Sequence, residues 1–197
     1  MTDAPGLEAY ARNYLDEAKA ALDEPTILAA VHRIVPILLK ARDEGRAVFF
    51  FGNGGSASTA SHFVVDIAKS AIRGKGRSIR CIGLSDNIPS MTAWANDADY
   101  SRIFAEPLKN LAVSGDVVVA ISGSGNSPNV LEAVRVARAL GITTIGLTGI
   151  GGGKLKEMVD VALVVPSNSM QHTEDVHVAV LHLLTAYLRD EGPVSER

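Results

Sequence analysis

The sequence predicts an α/β fold: a five-stranded parallel sheet covered by helices on both faces, preceded by N-terminal helices. Three observations carry the prediction. Five short apolar runs, rich in β-branched and aromatic residues, recur between residues 48 and 165 and are separated by segments of helical length. Each run is apolar almost throughout, as strands buried on both faces require. Regular alternation of strand and helix favours parallel pairing, because each crossover lays a helix against the sheet. A chain of 197 residues suits one domain with a full core and is short for two. The expected organisation is therefore a single domain over 1–197, with 1–45 as a helical extension and 46–197 as the α/β core.

The elements follow in order. Leu7, Tyr10, Ala11, Tyr14, Leu15 and Ala18 recur at helical spacing. The pattern breaks near Glu24-Pro25, where proline suits a first helical turn. Ile27, Ala30, Val31, Ile34, Val35, Leu38 and Leu39 then form a wide apolar stripe ending near Gly45, and a stripe of that width must pack on the sheet or on a partner subunit. The strand runs are Val48–Phe51, Cys81–Leu84, Val117–Ile121, Thr143–Leu147 and Val161–Val165. Gly115-Asp116 introduces the third run, and Gly141 closes the helix before the fourth. A last helix is expected from about Thr173 to Arg189, with Glu174 and Asp175 well placed in its first turn.

Composition narrows the function classes. The chain is 47% apolar and 21% charged, with a net charge of −3 that gives no support to a nucleic-acid partner. No apolar run reaches bilayer length, and residues 1–22 carry acidic groups and no apolar core of a signal peptide. Cys81, the only cysteine, excludes a disulfide framework and reads as a small core residue. A soluble cytoplasmic protein, with neither nucleic acid nor membrane as partner, is the expectation.

In parallel sheets, ligands bind beyond the carboxyl ends of the strands. After the third run comes Ser122-Gly123-Ser124-Gly125-Asn126-Ser127-Pro128, then a helix from Asn129 to Leu140. Serine or asparagine at the cap with Pro128 following is a strong helix start. The unpaired N–H groups of that start, with three serine hydroxyls around them, can hold a phosphate without lysine or arginine. After the first run comes Gly52-Asn53-Gly54-Gly55-Ser56-Ala57, which formally fits a dinucleotide-binding loop. That reading needs an acidic residue about 20 positions on, whereas Asp86 lies 34 positions after Gly52. The loop reads better as a close backbone approach to a small polar ligand, with Asn53 and Ser56 facing it.

Gly-Asn-Gly-Gly-Ser-Ala, a histidine six positions after that serine, the pair Asn96-Asp97, Ile-Ser-x-Ser-Gly-Asn-Ser, and Thr148-Gly149 with Gly152-Gly153-Lys154-Leu155 together resemble the phosphoheptose isomerases. These are SIS (sugar isomerase) domain enzymes that convert sedoheptulose 7-phosphate to D-glycero-D-manno-heptose 7-phosphate. The resemblance spans nearly the whole chain and implies an SIS-type three-layer sandwich, a homotetramer with sites between subunits, and a sugar-phosphate substrate. It implies that Asn53, Gly54, Gly55, Asn96 and Asp97 touch the sugar, and that Ser122, Gly123, Ser124 and Ser127 hold the phosphate. It further implies a zinc ion bound by His62 and His182 with the residues at positions 66 and 174. There the chain departs from the family: Asp66 stands where the family has glutamate, and Glu174 where it has glutamine.

His62 and Asp66 are four apart on one helix face, and Glu174 and His182 lie eight apart, roughly two turns. Two histidines with two carboxylates form a plausible zinc set. Ketose–aldose isomerisation needs a base at the carbon-bound proton, an acid at the oxygen and a stabilised oxyanion. By resemblance the base is Asp66 and the acid His182. Aspartate reaches about 1.5 Å less far than glutamate, which leaves Glu174 as an alternative base. It also keeps open an isomerase for a different sugar phosphate, or a non-catalytic module that senses sugar phosphate or binds a protein, as the DnaA-binding member of this branch does. Among the other candidates, His32 reads as structural, His172 as loop surface, and His177 as support for Asp175. Met91 and Trp94 read as packing, and Lys69 and Arg73 as a solvated helix face.

Overall fold

The computed structural model describes residues 6–71 and 78–190; Arg73 lies outside them. Five parallel strands form one sheet: β1 (Ala47–Gly52), β2 (Arg80–Gly83), β3 (Val117–Ser122), β4 (Thr143–Thr148) and β5 (Val161–Val164). Their order is β2-β1-β3-β4-β5. The central pair is in register from Val48 opposite Val117 to Gly52 opposite Ile121, so the loops after β1 and β3 leave the sheet side by side. β4 continues the ladder with Ser122 opposite Thr148, bringing a third loop to the same edge. The chain reverses its direction of travel across the sheet between β1 and β3, the place where such sheets bind ligands.

Alternate residues of the central strands β1 and β3 feed two separate cores, which gives the sandwich its three layers. Val48, Phe50, Val117, Val119 and Ile121 pack with Ile34, Leu38, Phe63, Ile67, Val180 and Leu184. Those partners come from α2 (Pro25–Glu44), α3 (Gly55–Val65) with the turn that follows it, and α8 (Met170–Asp190). Phe49, Phe51, Val118 and Ala120 pack on the other face with Phe104, Leu108, Val130 and Val134. That face is covered by α5 (Ala105–Leu111) and α6 (Pro128–Ala139), with α4 (Ile88–Asp97) and α7 (Leu155–Met158) at its margins. Met91 and Trp94 are partly buried against this second core, as packing residues should be.

The apolar stripe of α2 packs on the chain's own sheet, and Gly45 closes the helix in the left-handed conformation. α1 (Leu7–Leu22) behaves differently. Ala21 is its one buried residue, while Leu7, Tyr10 and Leu15 are exposed. The helix is tied down by Tyr14, whose hydroxyl donates to the Asp175 carboxylate at 2.7 Å and whose ring lies 4.2 Å from that of His172.

Two histidine expectations are corrected. His172 is not loop surface: α8 begins at Met170, three residues earlier than the pattern suggests, and α1 then covers the imidazole, which is 3% exposed. His177 does not support Asp175: its Nε2 lies 3.4 Å from the Thr148 carbonyl under the sheet. Burial pushes its imidazole down to about 4, against the opposing pull of that carbonyl. Cys81 lies on the edge strand β2, and burial pushes its thiol up to about 12.

Candidate functional site

The loop after β3 is built as a helix start whose polar groups are left over. Ser127 occupies the cap position and Pro128 the first helical position, but the Ser127 side chain makes no capping bond. Its hydroxyl lies 3.1 Å from that of Ser122 instead. Pro128 has no N–H and the Val130 N–H is taken by the Asn129 side-chain oxygen at 3.0 Å, which leaves the Asn129 N–H of the first turn to an anion, and the helix dipole favours it. Ser122, Gly123, Ser124 and Ser127 line a cavity of about 230 Å³ together with Asn53, Ser56, Ile121, Met170 and Glu174. Among the described residues no lysine or arginine lines it, so the donors they supply are neutral hydroxyls and amides.

The loop after β4 holds this loop from behind. Gly149 N–H donates to the Gly123 carbonyl at 2.9 Å, Leu155 N–H to the Gly125 carbonyl at 2.9 Å, and Lys154 N–H to the Asn126 side chain at 3.2 Å. Gly125 has φ +64°, and a Cβ there would overlap the Gly152 carbonyl. Gly153 serves the same backbone-to-backbone packing, since a Cβ there would stand 2.5 Å from the Ser124 carbonyl oxygen. The motif was visible in the sequence; its role as a buttress was not.

On the other side, Asn53 leaves β1 into the cavity and its amide pairs with that of Asn129 on α6 at 2.9 and 2.8 Å. Tyr100 donates its hydroxyl to the Asn53 oxygen at 3.2 Å. Neither Asn129 nor Tyr100 stood out in the sequence, since both sit outside the glycine- and serine-rich runs. Ser56 is buried in the first turn of α3. Gly55 leaves room for the Glu174 carboxylate, which occupies the space a Cβ would take. Asn96 and Asp97 end α4 on the exposed surface, bonded to each other at 2.7 Å, and do not line this cavity.

A second cluster lies further along the same two helices. His62 on α3, Asp66 just beyond it and His182 on α8 bring one donor atom each within 4.8 Å of one another. Asp66 Oδ2 is 3.4 Å from His62 Nε2 and 3.7 Å from His182 Nε2, and the two rings meet edge-on with centroids 5.1 Å apart. Asp66 opens a π-helical turn, Asp66–Ser70, closed by the Ala71 N–H on the Asp66 carbonyl at 3.1 Å. Such turns recur at functional sites because they re-aim side chains. The shorter aspartate nonetheless meets both histidines. Glu174, the fourth expected ligand, stays in the serine-loop cavity and outside this group.

The trio suits a zinc ion chemically. Ligand atoms bound tetrahedrally at about 2.0–2.1 Å stand roughly 3.3 Å apart, close to the 3.4 and 3.7 Å spacings seen. His62 and His182 are about half exposed, as residues of an accessible site must be.

Comparison with known proteins gives a consistent result. The SIS domain family model matches residues 10–149. The phosphoheptose isomerase of Trichlorobacter lovleyi is 41% identical over 161 residues, covering 82% of each chain. The probable phosphoheptose isomerase of Thermoplasma acidophilum is 37% identical over 185 residues, 92% of this chain and 98% of that one. Among solved structures, the phosphoheptose isomerase of Francisella tularensis superposes with a TM-score of 0.87 at 26% identity, covering 97% of this chain and all of that one. The enzyme from Neisseria gonorrhoeae gives 0.83 at 28% identity, covering 92% of this chain and 97% of that one.

Proposed function

Because the chain belongs to the SIS-domain phosphoheptose isomerase family, and is thereby an isomerase, we propose that it interconverts sedoheptulose 7-phosphate and D-glycero-D-manno-heptose 7-phosphate through an enediol. The observation that carries this reading is the spacing of two chemical centres along α3 and α8. Ser56 and Glu174 line the phosphate cavity, while His62 and His182 lie six and eight residues further along the same helices. At about 1.5 Å per residue these separations are roughly 9 and 12 Å. An extended seven-carbon phosphate measures roughly 10 Å from phosphorus to C1. With its phosphate at Ser122–Ser127, such a substrate places its carbonyl end at the histidines.

The roles follow from that placement. Oδ2 of Asp66 is shared by the two histidines, which leaves Oδ1 to act as base and remove a proton from C1 of the ketose. His182 donates a proton to the C2 oxygen, forming the enediol. Return of the proton from Asp66 to C2, with the C1 hydroxyl proton passing to His182, completes the aldose. Glu174 and Ser56 contact the sugar between the two ends, with Gly54 and Gly55 giving the backbone close approach, while Asn53 donates to the phosphate ester itself. His62, Asp66 and His182 would hold zinc, which when bound supplies Lewis-acid polarisation of the carbonyl. The enzyme is placed in the cytoplasm and works as a homotetramer. Support for assembly comes from the exposed apolar residues of α1 and from a groove of about 450 Å³ between α2 and α8, walled by Leu28, Val35, Leu39, Leu183 and Tyr187. No described helix is long and apolar enough to cross a membrane.

The test is turnover of sedoheptulose 7-phosphate by zinc-supplemented protein, with two isosteric variants. Asp66→Asn is expected to lower kcat by about 10²-fold or more, while the ligand still raises the melting temperature. Glu174→Gln is expected to lower kcat by less than about tenfold, since it removes a binding contact only. An active Asp66→Asn beside an inactive Glu174→Gln would transfer the base role to Glu174. No turnover by the parent protein would overturn the reading.

A further inference from the structure

Taking the serine-loop cavity as the phosphate site, we propose that Asn129 is a positioning residue that fixes the polarity of the Asn53 amide, so that Asn53 can only donate to the bound ester. An amide's oxygen and nitrogen are assigned from their hydrogen bonds, and here one partner leaves no choice. The backbone N–H of Val130 is an obligate donor, and it lies 3.0 Å from the Asn129 side-chain oxygen. The atom of Asn53 that lies 2.9 Å from that same oxygen must then be its nitrogen. The Asn53 oxygen is thereby turned to Asn129 Nδ2 at 2.8 Å and to the Tyr100 hydroxyl at 3.2 Å.

Counting sites completes the argument. A carbonyl oxygen has two lone pairs and an amide nitrogen two hydrogens. Both lone pairs of Asn53 are taken and one of its hydrogens is used, which leaves a single N–H. Asn53 lines the cavity with Ser122, Ser124 and Ser127, and among the described residues no lysine or arginine joins them. In a site built from neutral donors, an amide turned the other way would present an acceptor to a dianion. Asn129 is 1% exposed, so solvent does not compete for its bonds.

The experiment is calorimetric titration of the full-length protein with inorganic phosphate, which does not depend on turnover. Asn129→Asp keeps the shape and both acceptor contacts but removes the donor facing the Asn53 oxygen. Asn129→Leu is neutral and removes both. Each is expected to weaken phosphate binding about tenfold, the worth of one hydrogen bond to a charged acceptor. The deficit of Asn129→Asp relative to the parent is expected to shrink as pH falls, when the introduced carboxyl is protonated and donates again. Tyr100→Phe, at an exposed position that does not threaten folding, is expected to weaken binding roughly twofold to threefold. In turnover, the Asn129 variants are expected to raise KM far more than they lower kcat. Phosphate binding at the parent's affinity in Asn129→Leu, or an undiminished Asn129→Asp at every pH, would overturn the proposal. Failure of the parent protein to bind phosphate would instead overturn the reading of the cavity itself.

Discussion

Gly125→Ala isolates the contribution of loop placement to catalysis. Gly125 sits at φ +64°, where an L side chain costs about 1–2 kcal/mol. Its Cβ would also stand 2.7 Å from the Gly152 carbonyl carbon and 2.9 Å from Thr148 Oγ1. Non-bonded carbons rest about 3.5–4.0 Å apart, so the serine loop and its buttress must separate by roughly 1 Å. Misplacement of about 1 Å at a positioning site costs on the order of 10²-fold in rate. Gly151→Ala is the control, because Gly151 has φ +77° but no atom within 4 Å of its Cβ position. Gly151→Ala is expected to lose about 1–2 kcal/mol of stability in urea, Gly125→Ala about 1–3 kcal/mol more for the overlap, and Gly125→Ala alone to lose about 10²-fold in kcat/KM on sedoheptulose 7-phosphate. Equal kinetic losses in the two variants, or a fully active Gly125→Ala, would refute the view that the buttress sets the position of the serine loop.

Three further outcomes are expected. His177 is held neutral in the fold, with its imidazole at about 4 against an ordinary 6.5, so the unfolded chain binds the extra proton between these values. Stability should be full above about pH 6.5 and fall by up to about 3 kcal/mol towards pH 4; in His177→Gln, urea titrations should show that part of the acid slope removed. The Cys81 thiol, pushed up to about 12 by burial, should resist alkylation in native protein and react promptly once unfolded; fast native labelling would contradict its placement. Leu38, 1% exposed beneath the sheet, should cost about 2–5 kcal/mol as Leu38→Ala in chemical denaturation.

The fold was legible because its signals are local. Continuous apolar runs such as Val48–Phe51 require cover on both faces, and proline and glycine at positions 25, 45, 128 and 141 mark helix ends by backbone geometry. The serine loop was legible for the same reason, as hydroxyls and a helix start adjoin in sequence. What escaped depends on residues distant in the chain. Asn129 gains its role from Asn53, 76 positions away, and nothing in its neighbourhood distinguishes it from a surface asparagine. His172 looked like loop because nothing in the sequence tells that α1 folds over it. The reach of Asp66 could not be judged from side-chain length alone, because the separation of α3 and α8 decides it.

The strand order has one more consequence, for where this enzyme can change. β1 and β3 are paired up to Gly52 and Ile121, so the loops that line the proposed phosphate cavity cannot drift apart without opening the middle of the sheet. β2 is a four-residue strand at the edge, and the chain beyond it carries Asn96 and Asp97 on an exposed helix. Substitutions there disturb one border of the molecule and leave the anchor intact. Descendants of such a sheet can change along that border while inheriting the proposed phosphate cavity unaltered.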